Sequence, residues 1–160
     1  MDNKEELKLD QKVTVRSIAG WNVGFARIEG FSVSDLTIAP FGTTRLSRSE
    51  IIAQVQNGNR LFTGTDGFGS HPTLIIEDAP TRVELDFESE DGSKKQLVFS
   101  DEKMKSLFAL KTLNAFKKNF QEAIYTRAEK YAAITAIKRL KLNDYDKIRF
   151  VEDYTGYKLS

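Results

Sequence analysis

The 160-residue chain has no cysteine, one histidine, three prolines and one tryptophan. Without cysteine there is no disulfide, thiolate nucleophile, zinc knuckle or iron–sulfur cluster. A chain of this length buries enough apolar surface to fold without such staples, and the lack of them is consistent with a reducing compartment. A metal site needs several convergent ligands, and the single histidine, His71, offers one; no metal and no cofactor are expected. No run approaches the roughly 18 apolar residues of a membrane span. The start, MDNKEELKLDQK, is polar and acidic and lacks the apolar stretch of a secretory signal, so the expectation is a soluble, non-secreted, non-membrane protein.

The net charge of +1 hides an asymmetry. Residues 1–100 hold 11 Lys/Arg against 15 Asp/Glu, and residues 101–160 hold 13 against 8. Opposite signs on the two halves suit head-to-tail association of subunits, or a nucleic acid partner for the basic half.

The hydrophobic period changes near Ser100. Before it, apolar residues alternate: Val13 and Val15 in KVTVRSI; Trp21, Val23 and Phe25 in WNVGFAR; Leu36 and Ile38 in DLTIAP. TLIIED and TRVELDFES continue the pattern, the second with Val83, Leu85 and Phe87 inward and Glu84, Asp86 and Glu88 on one wet face. SEDGSKK then turns the chain into QLVF, where Leu97 and Phe99 return to the core. About seven short strands are expected, as in a small antiparallel barrel or sandwich. SRSEIIAQVQNG interrupts them. Ser47 and Glu50 have capping-box spacing and Gly58 is a helix stop, although the alternation of Ile51, Ala53 and Val55 also permits a strand.

After Ser100 the stripe Met104, Leu107, Leu110, Leu113, Phe116, Phe120, Ile124 has helical spacing. TRAE at Thr126–Glu129 is a capping box opening a second helix, and Asn143 is placed to cap a third that stops at Thr155 and Gly156. The predicted protein is α+β: a loose segment over residues 1–10, a β-rich domain over 11–100 with one short helix, and a two- or three-helix unit over 101–160.

The densest stretch is GTDGFGSHP, Gly64–Pro72. A glycine-rich loop cradles phosphate when a helix N-terminus follows it, and here Pro72 and a strand follow. A nucleophilic reading would pair Ser70 with His71, oriented by Asp66, but neighbours in an extended chain point to opposite faces. The acidic row Glu84, Asp86, Glu88, spaced about 7 Å along one strand face, reads as a solvated surface. No catalytic residue is assigned, and the protein is expected not to be an enzyme. The loop is left as a turn bent at Asp66 and Gly67, between a strand ending at Phe62 or Thr63 and one beginning at Thr73, with Phe68 at the tip.

Two binding readings follow. Phe31, Phe41, Phe62 and Phe68 put rings near glycine-rich turns, where a rigid sheet presents anchors to a protein partner. Phe41, Phe62 and Phe68 are the expected anchors, with Arg45, Arg48 and Arg60 as rim charges. Alternatively, Lys130, Lys138, Arg139 and Lys141, interleaved with Tyr131, Tyr145, Phe150 and Tyr154, would bind nucleic acid through phosphate contacts and stacking.

The stretch RLSRSEIIAQVQNGNRLFTGTDGFGSHPTLIIEDAPTRVELDFES, and more weakly NDYDKIRFVEDYTG, resembles uncharacterised small proteins of tailed bacteriophages. The resemblance carries no functional residues. It implies a virion component, capsid-associated or connector-type, or a phage protein acting on a host partner. The partners would be other protein subunits, as a homo-oligomer or with virion proteins, and the location the virion or the host cytoplasm.

Overall fold

Alternating Val13 and Val15 face the interior from β1 (Lys12–Ser17), which is the middle strand of an antiparallel sheet. On one side it pairs with β4 (Thr43–Ser47), Val13 opposite Leu46, and on the other with β5 (Leu74–Ile76), Val15 opposite Ile76. A second, two-stranded sheet joins β2 (Val23–Ala26) to β3 (Asp35–Ile38), with the buried pair Val23 and Ile38 in register. The structure is a computed structural model that describes residues 7–29 and 34–159. Between and after the strands lie α1 (Arg48–Gln56), α2 (Arg60–Thr63), α3 (Ala79–Glu84), α4 (Asp101–Phe108), α5 (Leu113–Ala123), α6 (Arg127–Leu140) and α7 (Tyr145–Thr155).

The α+β class holds, with five strands before residue 77 and four helices after residue 100, but no barrel closes among the described residues. Part of the chain expected to supply strands is helical or irregular. TRVELDFES is the main correction. Asp78 accepts from Thr81 N–H as an N-cap and Pro80 sits in the first turn, so α3 starts there and the alternation of Val83, Leu85 and Phe87 is coincidental. The acidic row on a strand face therefore does not exist. Arg82 Nε donates to Glu88 at 3.0 Å, while Glu84 and Asp86 lie exposed on different local structure. QLVF forms no strand either; Phe99 is buried but Leu97 is 57% exposed.

α1 forms as the capping signal suggested, with one difference. Ser47 accepts from the N–H of Glu50 at 3.2 Å, but the Glu50 carboxylate does not complete the box. It accepts instead from the N–H groups of Ile28 and Glu29, each at 3.0 Å, and so ties the end of β2 to α1. Neighbouring Arg48 is buried and donates to Thr81 Oγ1, Lys8 O and Asp78, joining α1 to α3 and to the start of the chain. The described end of the segment expected to be loose makes backbone contacts with α1: Leu9 O also accepts from Ser49 N–H. The rest of the expected loose segment, residues 1–6, lies outside the described residues.

The single stripe from Met104 to Ile124 divides into α4 and α5. Thr112 caps α5 by accepting from Ala115 N–H. The Lys147 ammonium, buried on α7, donates to the carbonyls of Phe108 at 2.7 Å and Leu110 at 2.6 Å, satisfying acceptors that the break leaves open. α7 is capped by Asp144 rather than Asn143, and ends at Gly156 as expected.

One core runs through both parts of the chain. Phe62, Phe87, Ile76 and Val15 from the first hundred residues join Met104, Phe116, Phe120 and Ile137 from the helices in a single buried cluster. Burying each large side chain contributes about 1.5–3 kcal/mol relative to leaving it in water. Phe120 packs edge-on to Phe150 at 6.2 Å and to Tyr154 at 5.9 Å between centroids, so these rings belong to the helix packing.

The Arg48–Asp78 contact makes acid stability measurable. Burial pushes the Asp78 carboxyl up, but hydrogen bonds from Thr81 and Arg48 outweigh it and hold the group below its ordinary value of 3.8. A lowered folded value means stability that is present above 3.8 and lost as pH falls through the folded value. Urea denaturation should show Asp78→Ala less stable by roughly 2–4 kcal/mol at neutral pH. Asp78→Asn should flatten the loss of stability below the ordinary carboxylate value; an unchanged acid profile would contradict this account.

Candidate functional site at the seam of sheet and helices

The loop Gly64–Pro72 is built by backbone demands. Gly64 ends α2 at φ 72, ψ −151, and a Cβ there would run into the Ser70 carbonyl, which accepts from Thr65 N–H at 2.9 Å. Asp66 Oδ1 accepts from the N–H groups of Phe68 at 2.8 Å and Ser70 at 3.1 Å, so Asp66 and Gly67 form the expected bend. Burial pushes the Asp66 carboxyl up, but the hydrogen bonds from Phe68 and Ser70 win and hold it low. Phe68 stands at the tip, 56% exposed, with Lys94 Nζ 4.8 Å from its ring centre. The chain enters the loop from the helical turn α2, however, and not from a strand.

His71 leaves the loop at φ 56, a left-handed conformation unusual for a residue with a side chain, held by its N–H to Leu97 O at 2.8 Å. Its Nδ1 lies 3.0 and 2.9 Å from the two carboxylate oxygens of Glu129, on α6. Glu129 Oε1 also accepts from the N–H groups of Tyr125 at 2.9 Å and Thr126 at 3.0 Å, and Thr126 Oγ1 accepts from Glu129 N–H. The TRAE capping box is real, and its carboxylate additionally receives the histidine. Because a carboxylate that already accepts from two backbone N–H groups can only accept, Nδ1 is the donor in this contact. The expected orienter, Asp66, serves the loop and not His71. Chemically this is a base with its orienting carboxylate, and no hydroxyl is hydrogen-bonded to the imidazole among the described residues.

A separate cleft of about 560 Å³ opens where β1 meets α4 and α6. Ile18, Phe41, Phe99 and Ala132 give it apolar walls, and Arg16, Asp101, Glu102 and Arg139 line it with charge. Arg139 grips Asp101 through two bonds of 2.8 Å, which holds the Asp101 carboxyl below its ordinary value; Arg16 Nε donates to Glu77 at 2.7 Å. Phe41 sits at φ 53 with its N–H on Ala19 O, and its ring stacks on Tyr131 at 6.1 Å and 15°. Trp21 flanks Tyr131 at 6.2 Å, under the Arg127 guanidinium. Gly20 permits this closeness, since a Cβ there would collide with the Tyr131 ring.

The seam gathers residues from both binding readings. Phe41, expected as a protein anchor, and Arg139, expected as a phosphate contact, line the same cleft. Arg45 is exposed on β4, and Arg60 is exposed beside a second cleft that includes His71. One expected anchor and one expected rim charge are corrected. Phe62 is fully buried in the core, and Arg48 is 2% exposed with its guanidinium committed to α3 and Lys8, so neither reaches a partner. Phe31 lies outside the described residues. Of the basic set, Lys130 Nζ rests 4.9 Å from the Tyr154 ring centre, while Lys138 and Lys141 are exposed. Glu129 is a partner of His71 that the expected site residues did not include. The capping box was visible, but nothing local signals a contact 58 residues away.

Comparison with protein-family models, with curated proteins and with solved structures yields no match. Among the described residues no helix is long and apolar enough to cross a membrane, and no group of three or more His, Asp or Glu is placed to hold a metal ion.

The His71–Glu129 pair is the tie between loop and helices. Breaking a buried ion pair or charged hydrogen bond costs about 3–5 kcal/mol, less what the remaining backbone donors of Glu129 retain. His71→Ala should therefore lower stability by roughly 2–3 kcal/mol and accelerate amide hydrogen exchange across residues 64–72, with Thr65 and Gly69 as reporters. Exchange unchanged in the loop would show that the pair does not hold it.

Proposed function

We propose that the protein is a non-enzymatic interaction protein whose principal contact surface is the cleft between β1 and the helices α4 and α6. The observation that supports this is the construction of the cleft: apolar walls from Ile18, Phe41, Phe99 and Ala132 within a charged lining. That is the anatomy of a protein–protein contact, a desolvated centre inside a polar rim. Phe41 is the anchor. It is 42% exposed, yet its ring is held in place by the stack on Tyr131, so little side-chain freedom is lost when a partner covers it. Arg139 and Asp101, already paired, add orientation at the rim more than affinity. The partner in this reading is a further protein subunit, another copy or a second virion component, and the phage assignment rests on the sequence resemblance alone.

The nucleic acid reading has less support. Arg139 is occupied by Asp101, and Phe150 and Tyr154 stack on each other at 5.8 Å within the helix packing instead of offering free faces. Exposed Lys138 and Lys141 remain, which is a small electrostatic footprint.

The test is association. Sedimentation or light scattering across a concentration series, with capture on capsid shells, should detect a complex that Phe41→Asp weakens at least tenfold, equivalent to about 1.4 kcal/mol, without changing the fold by circular dichroism. A protein that stays monomeric at high concentration and binds no shell overturns the proposal. A gel shift that collapses with salt and with charge reversal at Lys138 and Lys141 would favour nucleic acid instead.

A further inference from the structure

A second cleft, of about 580 Å³, lies under the loop that carries His71. It differs in chemistry from the cleft at Phe41. Arg60, Thr63, Thr65, His71, Thr73 and Tyr125 contribute to its lining, and among the described residues no Asp, Glu or aliphatic Leu, Ile or Val does. Thr65 Oγ1 donates to Ser70 O at 3.4 Å, whereas the hydroxyls of Thr63 and Thr73 make no hydrogen bond among the described residues, although Thr63 is 7% exposed. Tyr125 is 63% exposed, and its ring stands 6.1 Å from the imidazole of His71. With Nδ1 given to Glu129, the imidazole has Nε2 left for a ligand.

We propose that this cleft is a saccharide-binding site. A sugar ring offers an apolar C–H face and an edge of hydroxyls that both donate and accept. The cleft supplies the complement of each: an exposed phenol ring for the face, and Nε2, the Arg60 guanidinium and threonine hydroxyls for the edge. A hydrophobic ligand would leave these hydroxyls unpaired, at a cost that the lining has no aliphatic surface to offset. A polyanion would meet one permanent cation, Arg60, with the Glu129 carboxylate behind the imidazole. A neutral polyhydroxylated ring satisfies the most groups. Glu129 acts here as a positioning residue, holding the imidazole through Nδ1 and leaving Nε2 uncommitted; it does not line the cleft.

The site is separate from the cleft at Phe41, so its failure and that of the interaction reading are distinguishable. The experiment is saturation-transfer NMR on the intact chain with glucose, galactose and N-acetylglucosamine at millimolar concentration. At least one sugar should receive transfer. Tyr125→Ala and Arg60→Ala, both at exposed positions and checked for folding by thermal melting, should each weaken its binding about tenfold, as loss of one stacked ring or one charged hydrogen bond does. Phe41→Asp should leave sugar binding unchanged. Absence of transfer to all three sugars overturns the proposal, as does transfer that is equal in the wild type, Tyr125→Ala and Arg60→Ala.

Discussion

A single buried carboxylate sets much of this architecture. Glu129 is fully buried and receives His71 Nδ1 together with the N–H groups of Tyr125 and Thr126. An ionisable group out of water is costly unless each of its oxygens finds donors. Three constraints therefore meet at one point: α6 must begin at Thr126, the turn after α5 must present its N–H groups inward, and the loop of residues 64–72 must bring its histidine across. The left-handed backbone at His71 is the local strain accepted to complete that set.

Other buried charges repeat the strategy at smaller scale. Arg48 joins α1 to the cap of α3 and to Lys8; Glu50 binds the backbone at the end of β2; Lys147 closes the break between α4 and α5. Each lies between elements that are far apart in sequence and bonds at least one backbone group. The sheets are small, and among the described residues β2 and β3 pair only with each other, so side-chain ties of this kind stand where a closed barrel would have ladder hydrogen bonds. The tie that crosses from the β-rich part to the helices is His71–Glu129, and ring contacts accompany it at the seam: Phe41 meets Tyr131, and His71 of the glycine loop meets Tyr125.

Much was legible from local signals. The strands at Val13, Val23 and Leu36 follow the alternation, α1 follows Ser47 and Gly58, and α6 follows its capping box. The failures have a common cause. Val83, Leu85 and Phe87 alternate as a strand would, but Asp78 and Pro80 begin a helix and the buried Phe87 falls just after its end. Over so few residues a period of two and a helical turn are hard to separate, and the cap decides. Phe62 and Arg48 seemed exposed because they sit beside turns, yet burial depends on what packs above them, and that comes from other parts of the chain.

By itself the sequence determined the starts of α1 and α6, the bend at Asp66 and Gly67 and the absence of thiol chemistry, because each depends on one residue or on neighbours within a turn. Only the tertiary structure decided that His71 answers to Glu129, that Phe41 and Arg139 share a cleft, and that Arg48 is interior. Hydrogen bonds and burial act through space. The chain brings these partners together only after the helices have docked, so no pattern of nearby residues encodes them.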